Sequence, residues 1–206
     1  MAMEARSRGP QRTSREDWIE AALDTLISEG VEQVKVLVIA EKLSCARSSF
    51  YWYFKNRAAL LDALLDHWQS SNAKSVIAKS RLRAPTINKA LINVFECWVD
   101  ENLFDTRLDF AIRDWARRSG AVRRAVDISD GYILDALAQM FVRYGYAVPE
   151  AETRARIVYY TQIGYNTMDP QETMAERMTR GPEYVFCMTG QALTEGEIEL
   201  IVRPKS

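Results

Sequence analysis

The chain has 206 residues, 48% hydrophobic and 27% charged, with a net charge of −1. That is an ordinary folded composition, with ample apolar material for a core and enough length for one large domain or two smaller ones. No uninterrupted apolar run approaches the ~18 residues of a membrane span, and no apolar segment follows the arginine-rich start MAMEARSRGPQRTSRED, so neither a membrane protein nor a secretory signal is expected.

Charge is distributed unevenly. Arg6, Arg8, Arg12 and Arg15 fall in a stretch without an acid, and so do Lys42, Arg47, Lys55 and Arg57. Two local basic patches in a neutral chain are enough to attract phosphates. Cys45, Cys97 and Cys187 are odd in number and far apart, which gives neither a disulfide framework nor a metal-ligand spacing and fits a reducing cytoplasm.

In chain order, hydrophobic residues recur at three and four, the period of helices, and alternating strand-like runs are rare. Residues 1–12, polar and broken by Gly9-Pro10, read as a disordered arm. Ser14 is a helix cap with Asp17 in the capping-box position, and Gly30 is a natural stop. A short apolar helix is predicted over 36–43, a tight turn at Ser44 and Cys45, and a second short helix over 46–53. Asn56 then caps a helix over 57–79 with Leu60, Leu61, Leu64, Leu65 and Trp68 on its core face. After a boundary at 81–85, helices are predicted at 86–102, 106–118, 120–145 and 149–168, the last beginning at Pro149. The region 171–206 holds a weaker helix at 183–193 and a loose tail.

Two short helices across a tight turn, behind a longer one, form the plan of a helix-turn-helix, whose second short helix enters the DNA major groove. The run Phe50-Tyr51-Trp52-Tyr53-Phe54 divides by helical spacing into two stripes. Phe50, Tyr53 and Phe54 share an inner face, expected against Ile39, Leu43 and the first helix. Ser48, Tyr51, Trp52 and Lys55 share an outer face of hydroxyls, an indole N–H and an ammonium, groups that donate to phosphates. Ala46, Ser48 and Ser49 are small enough for close approach to base edges, and Arg47 can make a bidentate contact to guanine.

The stretch FYWYFKNRAALLDALLDHW resembles the recognition helix and following helix of TetR-family transcriptional regulators, and TSREDWIEAALDTLISEGVEQVKV resembles their first helix and turn. The resemblance covers roughly residues 13–70. It implies an all-α fold: a three-helix reading domain (13–56), a connecting helix (57–80) and a helical bundle for effector binding and dimerisation (81–206). It implies a cytoplasmic, ligand-responsive regulator, most simply a repressor that binds a palindromic double-stranded operator as a homodimer. Tyr51 falls on the family's phosphate-contacting tyrosine, Lys55 or Arg57 on the basic position opening the next helix, Arg47 on the basic position of the recognition helix, and Lys35 on a backbone contact. LDFAIRDWARRSGAVRRAVD and VRYGYAVPEAETRARIVYYTQIGY resemble the second domain of some members.

The chain departs from the pattern at four places: Leu37 and Val38 where polar or small residues are usual, Ser44 where the turn usually has glycine, and Ala46 where a hydroxyl usually caps the recognition helix. In the second domain, the resemblance implies dimerisation through helices at 149–168 and 183–193 and an effector pocket among the helices of 86–145. By residue type its lining would draw on Phe95, Trp98, Phe110, Trp115, Tyr132, Met140, Phe141, Tyr159, Gln162 and Met168, which suits an apolar or aromatic small molecule, although each is also a natural core residue.

His67 is the sole histidine, and no Ser–His–acid or Cys–His set, glycine-rich phosphate loop or metal cluster is visible; Asp109 and Asp114, five apart, share no helix face well. No catalytic residue, metal or cofactor is therefore expected. The rival to a DNA-binding regulator is a helical partner- or ligand-binding protein whose helix-turn-helix no longer binds DNA.

Overall fold

The computed structural model describes residues 13–202, so the arm expected at 1–12 lies outside the described residues. The described chain is helical throughout and divides into two compact units, Met1–Asp66 and His67–Ser206, with the boundary inside a helix.

The first unit opens with α1 (Arg15–Glu29). Its capping box forms as the sequence predicts, with the Asp17 amide donating to Ser14 Oγ at 3.1 Å and the Ser14 amide to Asp17 Oδ2 at 2.7 Å. Gly30 ends it at φ +84°. A single 3₁₀ turn (Val31–Gln33) leads to α2 (Val36–Lys42), then a second 3₁₀ segment (Arg47–Trp52) and α3 (Arg57–Trp68). Trp18, Leu26, Ile39, Phe50, Phe54, Leu60 and Leu64 are all buried.

In the second unit, α3 runs into a π turn (Gln69–Ala73) and then α4 (Lys74–Arg81), so the helix expected over 57–79 is interrupted. The π turn has a local cause. The Ser70 and Ser71 hydroxyls both donate to the His67 carbonyl, at 2.9 and 3.0 Å, and Ser71 also reaches that of Trp68, so they occupy carbonyls withdrawn from the regular ladder. The turn is anchored by buried Asn72, which donates to the Asp105 carbonyl at 2.9 Å and accepts from the Asp105 amide at 3.0 Å.

Then follow α5 (Ile87–Val99), α6 (Thr106–Ala116), α7 (Gly120–Arg143) and α8 (Val148–Met168). Leu137, Met140 and Phe141 of α7 lie in one core with Ala151, Ala155, Val158 and Tyr159 of α8, where the two alanines let the helices approach. The region after residue 171, expected to hold one weaker helix at 183–193 and a loose tail, holds three helices among the described residues: α9 (Met174–Thr179), α10 (Gly181–Thr189), which overlaps the expected helix, and α11 (Glu195–Val202). Their signals are local and were legible in principle: a capping box at Thr173 and Glu176, Pro182 in the first turn of α10, Gly190 after it, and Thr194 three residues before Glu197. No described helix is long and apolar enough to cross a membrane.

Candidate nucleic-acid interface and effector cavity

The turn between α2 and the recognition segment is built on Ser44. Its amide donates to the Glu41 carbonyl and the Cys45 amide to that of Ala40, both at 3.0 Å, with Ser44 at φ +51°. This is the Schellman arrangement, which puts one residue in left-handed geometry where glycine is least strained. The glycine-shaped position inferred from sequence is real, and a serine occupies it.

The recognition segment differs from the α-helix expected over 46–53. Arg47–Trp52 is 3₁₀, and Ala46 provides no side-chain cap. At about 2.0 Å per residue this six-residue 3₁₀ segment extends about 12 Å, where an α-helix would extend about 9 Å. Only the final Phe54 amide, bonding Phe50 at 3.0 Å, closes an α-type turn.

The aromatic run still divides. Phe50 is fully buried, edge-on to Trp18 at 5.1 Å and stacked on Phe54 at 5.3 Å. Tyr53 is half-buried and donates its hydroxyl to the Thr13 carbonyl. Outward stand Tyr51, 52% exposed, and Trp52, 69% exposed, with Lys55, Ala46, Arg47 and Ser48; Ser49 is half-buried, its hydroxyl bonded back to the Ala46 carbonyl at 2.8 Å. Arg47 Nη2 lies 3.3 Å from the Tyr51 hydroxyl, so the guanidinium and the phenol form one outward pair. Lys35 and Leu37 are exposed at the start of α2.

Arg57 is displaced from its expected role. Its guanidinium donates to the Val34 carbonyl at 2.5 Å and the Val31 carbonyl at 2.6 Å, tying the α1–α2 connection to α3. Lys42, counted in the basic patch, is likewise turned to Glu29 at 2.6 Å and Thr25 at 2.9 Å. The outward basic face thus reduces to Lys35, Arg47 and Lys55.

Residues 19–64 match the family model described as bacterial regulatory proteins, tetR family. The chain carries a TetR-family helix-turn-helix domain. Within that domain it is similar to the tetracycline repressor protein class D of Escherichia coli, 42% identical over 53 residues, 26% of this chain and 24% of the relative. It is similar also to the class A protein from transposon 1721, 41% identical over 54 residues, 26% and 25% of the two chains. The aligned stretch spans about a quarter of the length of these curated relatives. Solved structures share the fold of this chain over most of its length. Salmonella enterica GusR superposes with TM-score 0.64 at 16% identity over 85% of this chain and 93% of that one. Mycobacterium smegmatis AmtR gives 0.61 at 16% identity over 95% of each.

The second unit holds a cavity of about 570 Å³, which shares α5 with the expected helices of 86–145 but draws its other walls from later in the chain. Its apolar wall is Ile92, Phe95, Trp98, Leu103, Met188 and Ile201, contributed by α5, the loop after it, α10 and α11. Of the ten residues proposed from sequence, Phe95, Trp98 and Gln162 line it. Met140 and Phe141 are core, and Trp115 is buried elsewhere; Phe110, Tyr132 and Met168 are exposed, Met168 at 82%.

Tyr159 is buried for a different reason. Its hydroxyl donates to Asp130 at 2.7 Å and accepts from Arg113 at 2.9 Å. Arg113 is bidentate to Asp130 at 2.8 and 2.9 Å and reaches Asp109 at 2.8 Å, while Trp68 closes the network on Asp109. Burial pushes the Asp109 carboxyl above its usual range, against the pull of Arg113 and the Trp68 bond. Asp114 is apart from this network, beside Arg118 at 3.6 Å.

The sequence reading missed the polar side of the cavity: Tyr165, Glu172, Arg177 and Arg180. His67 is exposed. Cys97 is buried, which raises its thiol to about 12, and all three cysteines are free. No group of three or more metal-ligating His, Cys, Asp or Glu side chains occurs among the described residues.

Proposed function

We propose that this chain is a ligand-responsive transcriptional regulator, most simply a repressor. It would bind a palindromic operator as a homodimer and be released by a small molecule. The observation that carries the reading is the outward face of the recognition segment. Arg47, Tyr51 and Lys55 stand out together on an acid-free stretch, above a buried Phe50–Phe54 stack that holds the segment in place. Lys35, Tyr51, Trp52 and Lys55 would meet phosphates, and Arg47 with Ala46, Ser48 and Ser49 would face base edges.

Dimerisation is assigned to α8 and α10. Ile157, Tyr160 and Met168 of α8 and Phe186 of α10 are exposed, and Ile157 and Cys187 border one shallow depression between these helices. The effector site is assigned to the cavity behind α5. A ligand preference of about 1–3 kcal/mol for the low-affinity conformer would change operator affinity 5- to 150-fold.

The test is a gel shift with duplex from upstream of the chain's own gene. A discrete shift at low salt is expected, and it should be lost in the double variant Arg47→Ala, Tyr51→Phe. Ser44 at positive φ and uncapped Ala46 keep a second reading in view, a partner-binding protein that has left DNA. A folded dimer giving no shift at low salt would establish that reading instead.

A further inference from the structure

The cavity wall carries four cations and three carboxylates, and their pairing is uneven. Lys79 lies 2.6 Å and Lys89 3.8 Å from Glu96, and Arg180 lies 2.6 Å from Glu172. Asp100 accepts from the Asn102 amide and side chain at 3.0 and 2.9 Å. Arg177 is left over. It has no ion-pair partner among the described residues; its guanidinium lies over the Tyr165 ring at 4.3 Å and donates to Gln162 Oε1 at 3.2 Å. Glu172, the nearest acid in effect, is already held by Arg180 and by the Tyr165 hydroxyl.

A second group of the same wall is also incomplete. Trp98 is only 4% exposed, and its indole N–H is buried without an acceptor. Leaving such a donor unpaired in the folded protein costs about 1–3 kcal/mol. Burial also lowers the pKa of Arg177, against the pull of Tyr165, Glu172 and Tyr184.

Both incomplete groups are donors, and one is cationic. Beside them lies an apolar wall with the Phe95 and Trp98 rings 5.6 Å apart. The cavity volume, about 570 Å³, is that of a small-molecule site.

We infer that this cavity binds an apolar monocarboxylate, with the carboxylate on Arg177 and the apolar body against Phe95 and Trp98. This rests on the effector reading of the cavity and narrows it from an apolar compound to an apolar acid. A guanidinium held by a ring stack and one amide is preorganised for a bidentate carboxylate, and in a half-buried site such a charge-assisted pair is stronger than a neutral one. The short helix α9, which carries Arg177, would be tied through the ligand to α5, which carries Trp98.

The test is calorimetric binding of 2-naphthoate to the full chain without DNA, against its neutral counterpart 2-naphthamide. The acid is expected to bind at least tenfold tighter. Arg177→Gln should abolish that preference, and Trp98→Leu, which removes the aromatic face, should weaken both probes several-fold. If Arg177→Gln fails to fold by circular dichroism, Arg177→Lys, which keeps the charge and loses the fork, should still show a reduced preference. Equal binding of the two probes, a preference that survives Arg177→Gln, or no binding of either at millimolar concentration would overturn the assignment. A separate gel shift with 2-naphthoate present distinguishes the two readings. Tight binding without any change in DNA affinity would leave the cavity assignment standing and remove its regulatory role.

Discussion

The indole N–H of Trp68 donates to the buried carboxylate of Asp109 at 3.0 Å, across 41 residues of chain. Trp68 is the last residue before the π turn, and Asp109 sits on α6 within the Arg113–Asp130–Tyr159 network. Trp68→Phe would remove the one donor together with the five-membered half of the buried indole, so a cavity cost adds to the loss of the bond. Because the acceptor is charged and buried, the loss is expected to be about 1–3 kcal/mol, read as a lower urea midpoint at unchanged slope. An unchanged midpoint would mean that water replaces the indole and that the network does not depend on it.

Arg57 and Lys55 are two residues apart and should separate cleanly. Arg57→Met would take the guanidinium from the carbonyls of Val31 and Val34, both buried residues, of which Val31 keeps the Val34 amide at 3.2 Å. The expected cost is about 2–4 kcal/mol of stability, the scale of two charge-assisted bonds. Lys55→Ala should leave stability within about 0.5 kcal/mol and instead reduce the salt dependence of DNA binding by about one ion, measured as the slope of log affinity against log salt. A stable Arg57→Met protein with a reduced salt slope would return Arg57 to the DNA face.

Ser44 occupies the left-handed position of the α2 terminus. Ser44→Gly should raise stability by about 1 kcal/mol, since glycine carries no Cβ penalty there. Ser44→Val, with a branched Cβ, should lower it. Thermal melts of the two variants under one buffer would settle the order, and a destabilised glycine variant would show that the serine makes a compensating contact.

Glu197 gives a pH signature. Burial alone would raise its carboxyl, but bonds from Thr86, the Thr194 amide and the Thr194 hydroxyl outweigh that and hold it below the usual range. A carboxylate whose folded pKa is depressed contributes stability that is fully present above the unfolded value, about 4.3, and lost as pH falls through the lower folded value. Glu197→Gln should therefore flatten the loss of stability below about pH 4.3 relative to the parent. Parallel acid limbs for parent and variant would show that Glu197 does not titrate as a folded-state group.

What could be read from the sequence follows the range of the interactions. The Ser14–Asp17 box and the Gly30 stop are set by neighbours three or four residues away and are legible from them, whereas the glycine-shaped position at Ser44 is legible only through the resemblance to the family. The two faces of the aromatic run were legible from spacing alone, although the segment winds as 3₁₀. Arg57 was misplaced because its partners lie 23 and 26 residues back, and nothing local in Lys55-Asn56-Arg57 marks the arginine as structural. The cavity was placed only in part because its other walls depend on α9–α11 folding onto α5. Gly181 shows how closely α10 and α11 pack on each other: a Cβ added there would run into Ile201 Cγ2 of α11.

The π turn at Gln69–Ala73 makes this helix sensitive to length in a way that its side chains conceal. Ser70 is exposed and polar, the sort of residue that substitution scans report as tolerant. Yet the turn holds one residue more than a regular helix would, and each residue rotates an α-helix by about 100°. A further residue inserted between Trp68 and Asn72 has no second bulge to absorb it and would swing the indole off Asp109 or the amide off Asp105, while leaving every residue helical. Insertions, rather than substitutions, are the changes this segment resists.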